Sequence, residues 1–132
     1  MNYNIFMIVM KDHPVSVMYQ REVLPSWKEL GHDVKLFDAT TPKDLVYKNK
    51  LDFKTKTTGK KREFTATEKA VWYSHFELWC KCVDEGPLIV LEHDSKLIKQ
   101  LPDMSEEGYK FLSFIERDFG KKGVAIAPGS GY

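Results

Sequence analysis

Residues 3–10 form a nearly continuous apolar run, of the kind that lies in the middle of a parallel sheet covered on both faces. Lys11, Asp12, His13 and Pro14 end it. Apolar positions then recur every three or four residues, at Val17, Val23, Leu24, Trp27 and Leu30, with Gln20 in phase. That spacing predicts a helix, with Ser16 placed to cap it. Pro25 lacks an amide donor and is expected to kink or divide that helix. Gly31 stops it, and residues 33–37 alternate as a second strand. Strand, helix and strand in this order predict parallel pairing through a right-handed crossover.

Residues 38–41 are a polar loop at the carboxyl end of that second strand, and Thr41-Pro42 opens a short helical turn. The clearest helix follows. Thr65 and Glu68 fit a capping box, and Gly86-Pro87 ends the helix some twenty residues later. Its apolar stripe reads Val71, His75, Leu78, Trp79 and Cys82, with Ala70 and Ser74 alongside. Residues 88–91 form a buried strand that runs into Glu92-His93-Asp94-Ser95, and residues 109–114 and 123–127 read as further strands. The fold class is α/β, a mostly parallel sheet flanked by helices, in a single domain over residues 1–132.

Charge and cysteine usage narrow the function classes. Twenty basic residues stand against 19 acidic ones, so a globally basic nucleic-acid binder is not supported. The longest apolar run, residues 5–10, is far below the roughly 20 residues that span a bilayer. It has no basic region before it and no cleavage site after it, so it is not a signal peptide. Cys80 and Cys82 lie two apart on a helix and point away from each other, which predicts free thiols in a reducing, cytoplasmic setting.

In an open α/β sheet, ligands collect beyond the carboxyl ends of the strands. Three polar segments fall there: Lys11-Asp12-His13, Asp38-Ala39-Thr40 and Glu92-His93-Asp94. Alternation along an extended chain would put Glu92 and Asp94 on one side and His93 on the other. Two carboxylates so placed can hold a hard divalent cation, Mn²⁺ or Mg²⁺, which neutralises a diphosphate. His75, on an apolar stripe, reads as a core histidine rather than a catalytic group. A zinc site from His75, Glu92, His93 and Asp94 matches no zinc spacing, and no Gly-rich phosphate loop is present. Residues 48–62 carry seven basic residues against one Asp. That stretch is either a plainly solvated loop or a basic flap that brings Lys60, Lys61 and Arg62 to a phosphate.

Residues 64–79 followed by 88–95 resemble glycosyltransferase family 25, the lipopolysaccharide-biosynthesis type. The family pattern is a glutamate opening a helix, a Ser-His pair, a Leu-Trp, and an apolar strand ending in Glu-Asp-Asp. Glu68, Ser74, His75, Leu78, Trp79, Glu92 and Asp94 match it in order. The amino-terminal strand and the Phe37-Asp38-Ala39 loop also resemble the family's first βαβ unit. The resemblance implies a GT-A-like, Rossmann-like nucleotide-sugar-binding fold that moves a sugar from a nucleotide diphosphate, a UDP-sugar foremost, to a hydroxyl acceptor. It puts Glu92 and Asp94 at the donor diphosphate through a divalent ion, with Asp38, Ala39, Thr40, Lys60, Lys61 and Arg62 as donor-binding candidates. Glu68, Ser74, His75 and Trp79 carry the family motif in a structural role, and no catalytic residue is assigned.

Two departures qualify the implied activity. His93 replaces the central acid of the family motif, which weakens the site for a hard cation or shifts it toward softer ones. The chain also ends before the region that supplies acceptor contacts in the family could be complete. The alternatives are therefore a binding module of the same fold without turnover, and a nucleic-acid-associated protein using residues 48–62. Near-zero net charge argues against the latter.

Overall fold

The computed structural model describes residues 3–48, 63–101 and 103. In chain order the elements are β1 (Ile5–Val9), α1 (Pro14–Glu29), β2 (Val34–Asp38), α2 (Leu45–Lys48), α3 (Ala66–Glu85) and β3 (Ile89–Glu92). The strands predicted at 109–114 and 123–127 lie outside the described residues, as does the basic stretch 49–62.

β1 is central because it is apolar on both faces. It pairs in parallel with β2 on one side and β3 on the other, giving the order β2-β1-β3. Ile5, Met7 and Val9 join Ile89 and Leu91 on one face, where Val23 and Trp27 of α1 cover them. Burying each such side chain contributes roughly 1.5–3 kcal/mol. Phe6 points the other way, toward α3: the Lys81 ammonium of that helix lies 5.4 Å from its ring centroid. The result is an α/β fold with a small open three-stranded parallel sheet flanked by helices.

Helix α1 starts three residues earlier than a Ser16 cap would set it. Pro14 occupies the first turn, where its missing amide costs nothing, and His13 is the N-cap without a side-chain cap bond. Ser16 is therefore not a cap; it is fully buried inside the first turn. Pro25 neither divides nor ends the helix. It sits on the exposed face, where water can solvate the carbonyl that its ring leaves without an amide partner. Gly31 closes the connection at φ 84°, a conformation that favours glycine.

Helix α3 has the full reciprocal capping box. Thr65 Oγ1 accepts from the Glu68 amide at 3.1 Å, and Glu68 Oε2 accepts from the Thr65 amide at 2.8 Å. Its buried face keeps Ala70, Ser74, His75 and Leu78 of the expected stripe but turns toward Tyr73 and away from Val71. Ala70, Tyr73, Ser74, His75 and Leu78 are inside, while Val71 is 49% exposed. Polar bonds rotate the helix: Ser74 Oγ accepts from the Thr40 amide at 2.9 Å, and Thr40 Oγ1 donates to Glu77 at 2.9 Å. Alternation of hydrophobic positions cannot register such contacts.

Helix α1 also grips the segment after β3. Trp27 Nε1 donates to the Ser95 carbonyl at 2.7 Å, and the Leu97 amide donates to Ser26 Oγ at 3.0 Å. Trp27→Phe keeps most of the apolar packing and removes the first bond. It should lower unfolding stability by about 1–3 kcal/mol in urea titration, because the Ser95 carbonyl loses its partner.

Candidate functional site

The site follows from topology. The chain leaves β1 toward β2 on one side and later returns to pair β3 on the other. Connections diverge at that point, the place where open α/β sheets commonly leave a ligand crevice beyond the carboxyl ends of the strands. Residues 10–13 border it from β1 and residues 92–95 from β3. The register sets Glu92 beside Ile8, one residue short of the end of β1.

β3 includes Glu92, one residue beyond the strand read from the sequence, and then turns. The Ser95 amide donates to the Glu92 carbonyl at 3.0 Å, closing a tight turn through His93 and Asp94. The extended alternation expected for Glu92 and Asp94 therefore does not apply. Their carboxylates are still within electrostatic reach. Burial, followed by the Asp94 charge, pushes the Glu92 carboxyl above its ordinary value.

His93 is held from α1. Its Nδ1 lies 3.1 Å from Ser16 Oγ, and its ring stacks on Tyr19 with centroids 5.3 Å apart and planes 11° from parallel. Among the described residues no group of three or more His, Cys, Asp or Glu side chains is gathered as a metal cluster. Glu92 and Asp94 supply two carboxylates at the carboxyl edge of β3. Such a set suits Mg²⁺ or Mn²⁺, which commonly bind one or two carboxylates together with waters and substrate phosphates.

The remaining candidates separate clearly. Asp38 is exposed at the end of β2 and pairs with Lys11 at 2.7 Å. That contact raises the Lys11 pKa, first through the hydrogen bond to Asp38 and then through its charge. The Ala39 amide is used in a bond to the Val9 carbonyl at 2.8 Å. Thr40 is buried, with its amide and hydroxyl turned to Ser74 and Glu77 on α3. Lys60, Lys61 and Arg62 lie outside the described residues. Ser74 and Glu68 act inside the fold as described above, and Trp79 sits in an aromatic cluster with Trp72 at 5.9 Å. His75 is buried beside it, with ring centroids 6.2 Å apart. Burial lowers its pKa, so it is a neutral interior group.

Ser16, expected from the sequence only as a helix cap, and Tyr19 are the residues that the sequence pattern did not assign to the site. A signal existed: Ser16 lies four, seven and eleven residues before Gln20, Val23 and Trp27, on the same helical face.

Fold and site together define an α/β protein with an acidic pair at the carboxyl edge of a parallel sheet. Residues 4–122 match the family model for glycosyltransferase family 25 (LPS biosynthesis protein), and the chain belongs to that family. No curated protein and no solved structure matches it. No helix among the described residues is long and apolar enough to cross a membrane.

Two pH effects follow. Glu92 has a folded pKa above its ordinary 4.5, so its contribution to stability is fully present below pH 4.5 and is lost as pH rises through the folded value. Glu92→Gln should raise the melting temperature near pH 7.5, and the gain should vanish below pH 4.5. His75 has the opposite dependence. Its folded pKa lies below 6.5, so stability should fall as pH drops beneath 6.5 and the unfolded chain takes up the proton. His75→Ala should flatten that part of the profile and cost about 1–3 kcal/mol at neutral pH.

Proposed function

We propose that this chain binds a nucleotide-diphosphate sugar, a UDP-sugar foremost, at the β1–β3 crevice and transfers the sugar to a hydroxyl acceptor. Family membership supports the class of reaction. The observation that carries the donor reading is the pair Glu92 and Asp94 at the switch point, with the Glu92 carboxyl destabilised by burial and by its neighbour. A half-buried carboxylate that is unfavourable alone gains most from a cation.

In this reading Glu92 and Asp94 hold Mn²⁺ or Mg²⁺. When bound, the ion supplies positive charge to the diphosphate as the bond between the sugar's anomeric carbon and the phosphate oxygen breaks. Glu92 is fixed by the β3 ladder and Asp94 by the turn that follows, so both are positioned before the ligand arrives. Asp38 borders the same edge from β2, next to the Lys11 ammonium. Loss of turnover with retained donor binding would favour the non-catalytic reading, for which the substitution at His93 is the motivating feature.

Calorimetric titration with Mn²⁺ and a UDP-sugar tests the assignment. Wild type should bind the pair, and a donor at 100 times its dissociation constant should stabilise the fold by about 2.7 kcal/mol. Asp94→Ala removes one of two carboxylates and should nearly abolish metal-dependent donor binding without changing the far-UV circular dichroism. Equal affinity in wild type and Asp94→Ala would refute the metal-site assignment.

A further inference from the structure

The carboxyl edge contains one buried hydroxyl whose hydrogen-bond capacity is fully used. Ser16 Oγ has one hydrogen to donate and two lone pairs to accept with. The Met10 amide donates to it at 3.0 Å, and Gln20 Nε2 donates to it at 3.3 Å. Both lone pairs are then occupied. The third contact, 3.1 Å from His93 Nδ1, is left for the hydroxyl hydrogen. A hydroxyl can donate only to a nitrogen that carries no proton, so Nδ1 is the accepting nitrogen and the ring proton is on Nε2.

Ring position is fixed as well. Tyr19 stacks on the imidazole nearly face to face, and Ser16 is fully buried behind it. The two nitrogens of an imidazole direct their bonds away from each other. With Nδ1 aimed at the interior, Nε2–H is directed away from Ser16, and among the described residues it has no hydrogen-bond partner. His93 lies between Glu92 and Asp94 in sequence, in the turn closed by the Ser95 amide at the carboxyl edge of β3.

We propose that His93 is locked by Ser16 and Gln20 as the Nε2–H tautomer and serves as a hydrogen-bond donor to a phosphate oxygen of the nucleotide donor. It is not a ligand of the cation. A ligand needs a free lone pair, and here Nδ1 spends its own on Ser16 while Nε2 carries a proton. The role at the phosphate rests on the donor reading above; the tautomer does not. The residue that departs from the family's acidic pattern thus changes from a candidate soft-metal ligand into a hydrogen-bond donor for the phosphate.

The test has two independent arms. Long-range ¹⁵N–¹H correlation spectra at about pH 8, where an ordinary imidazole is uncharged, report which nitrogen is protonated. The chain has four histidines, and the His93 signals are those missing from His93→Phe. Wild type should show a protonated Nε2 and a bare Nδ1. Gln20→Glu replaces a donor by an acceptor, which takes the Ser16 hydrogen and frees Ser16 Oγ to accept from the ring, so the proton should move to Nδ1. A wild-type Nδ1–H, or a tautomer indifferent to Gln20→Glu, overturns the lock.

The second arm measures Mn²⁺ alone, then UDP in the presence of Mn²⁺. His93→Phe keeps an aromatic ring against Tyr19 and should leave Mn²⁺ affinity unchanged while weakening UDP about tenfold, the scale of one hydrogen bond to a charged group. His93→Gln, which retains an N–H donor, should recover most of that loss. A tenfold loss of Mn²⁺ affinity in His93→Phe, or UDP affinity equal to wild type, overturns the assignment of His93. Absence of both Mn²⁺ and UDP binding in wild type overturns the donor reading instead, and the tautomer result is judged by the spectra alone.

Discussion

The parallel pairing of β1 with a strand on each side decides where every polar group at the carboxyl edge stands. A central strand buried on both faces must place all its amides and carbonyls in ladders, because an orphan there costs about as much as a lost hydrogen bond. With β2 on one side and β3 on the other, the two ladders end within a residue of each other, at Val9↔Asp38 and Ile8↔Glu92. Asp38 and Glu92 are the terminal residues of the two flanking strands. Their carboxylates come to the same edge through ladder register, with no need for specific attraction between them.

Immediately past that edge the polar demand changes hands. The backbone turns at Met10, Thr40 and Ser95 leave sheet geometry close to buried surface, and each is met by a helix side chain: Ser16 for the Met10 amide, Ser74 for the Thr40 amide, and Trp27 for the Ser95 carbonyl. Three short side-chain bonds thus tie α1 and α3 to the loops that border the crevice. The supporting groups lie inside, and Asp94 is exposed beyond them. This division also sorts the family motif. Glu68, Ser74 and His75 serve the helix that backs the sheet, while Glu92 and Asp94 belong to the edge itself.

Much of this was legible in the sequence because it depends on periodicity. The strands and helices of the βαβ unit, the capping box at Thr65 and Glu68, and the stop at Gly86 all follow from spacing and residue type. Three features were not. The start of α1 was misplaced because Ser16 has the chemistry of a cap, and only tertiary structure shows it taken into the interior. The face of α3 is turned from the apolar stripe, toward Tyr73 and away from Val71, and its Ser74 and Glu77 bond Thr40, a residue more than thirty positions away. The extended alternation that the sequence predicts for Glu92 and Asp94 does not hold. Alternation assumes an extended chain, and the Glu92–Ser95 bond folds it. The pair remains close because a tight turn keeps residues two apart in proximity even when it reverses the chain.

The replacement of an acid by His93 changes the charge economy of the edge under the proposed reading. Three carboxylates around a divalent cation leave a net negative site, which attracts the ion strongly and repels a diphosphate. Two carboxylates and a neutral imidazole leave the cation's charge balanced, so the metal is held less tightly in the absence of nucleotide. The same change removes a repulsion and adds a donor at the point where phosphate oxygens arrive. Binding of metal and nucleotide then becomes more strongly coupled: each is weakly held alone, and the phosphate oxygens complete a coordination that the protein leaves half-furnished. Such coupling needs His93 to stay oriented, and that is what a saturated, fully buried Ser16 hydroxyl and a stacked Tyr19 provide. The local cost is a buried polar cluster at the start of α1; it is offset because every hydrogen-bonding position of the hydroxyl is matched.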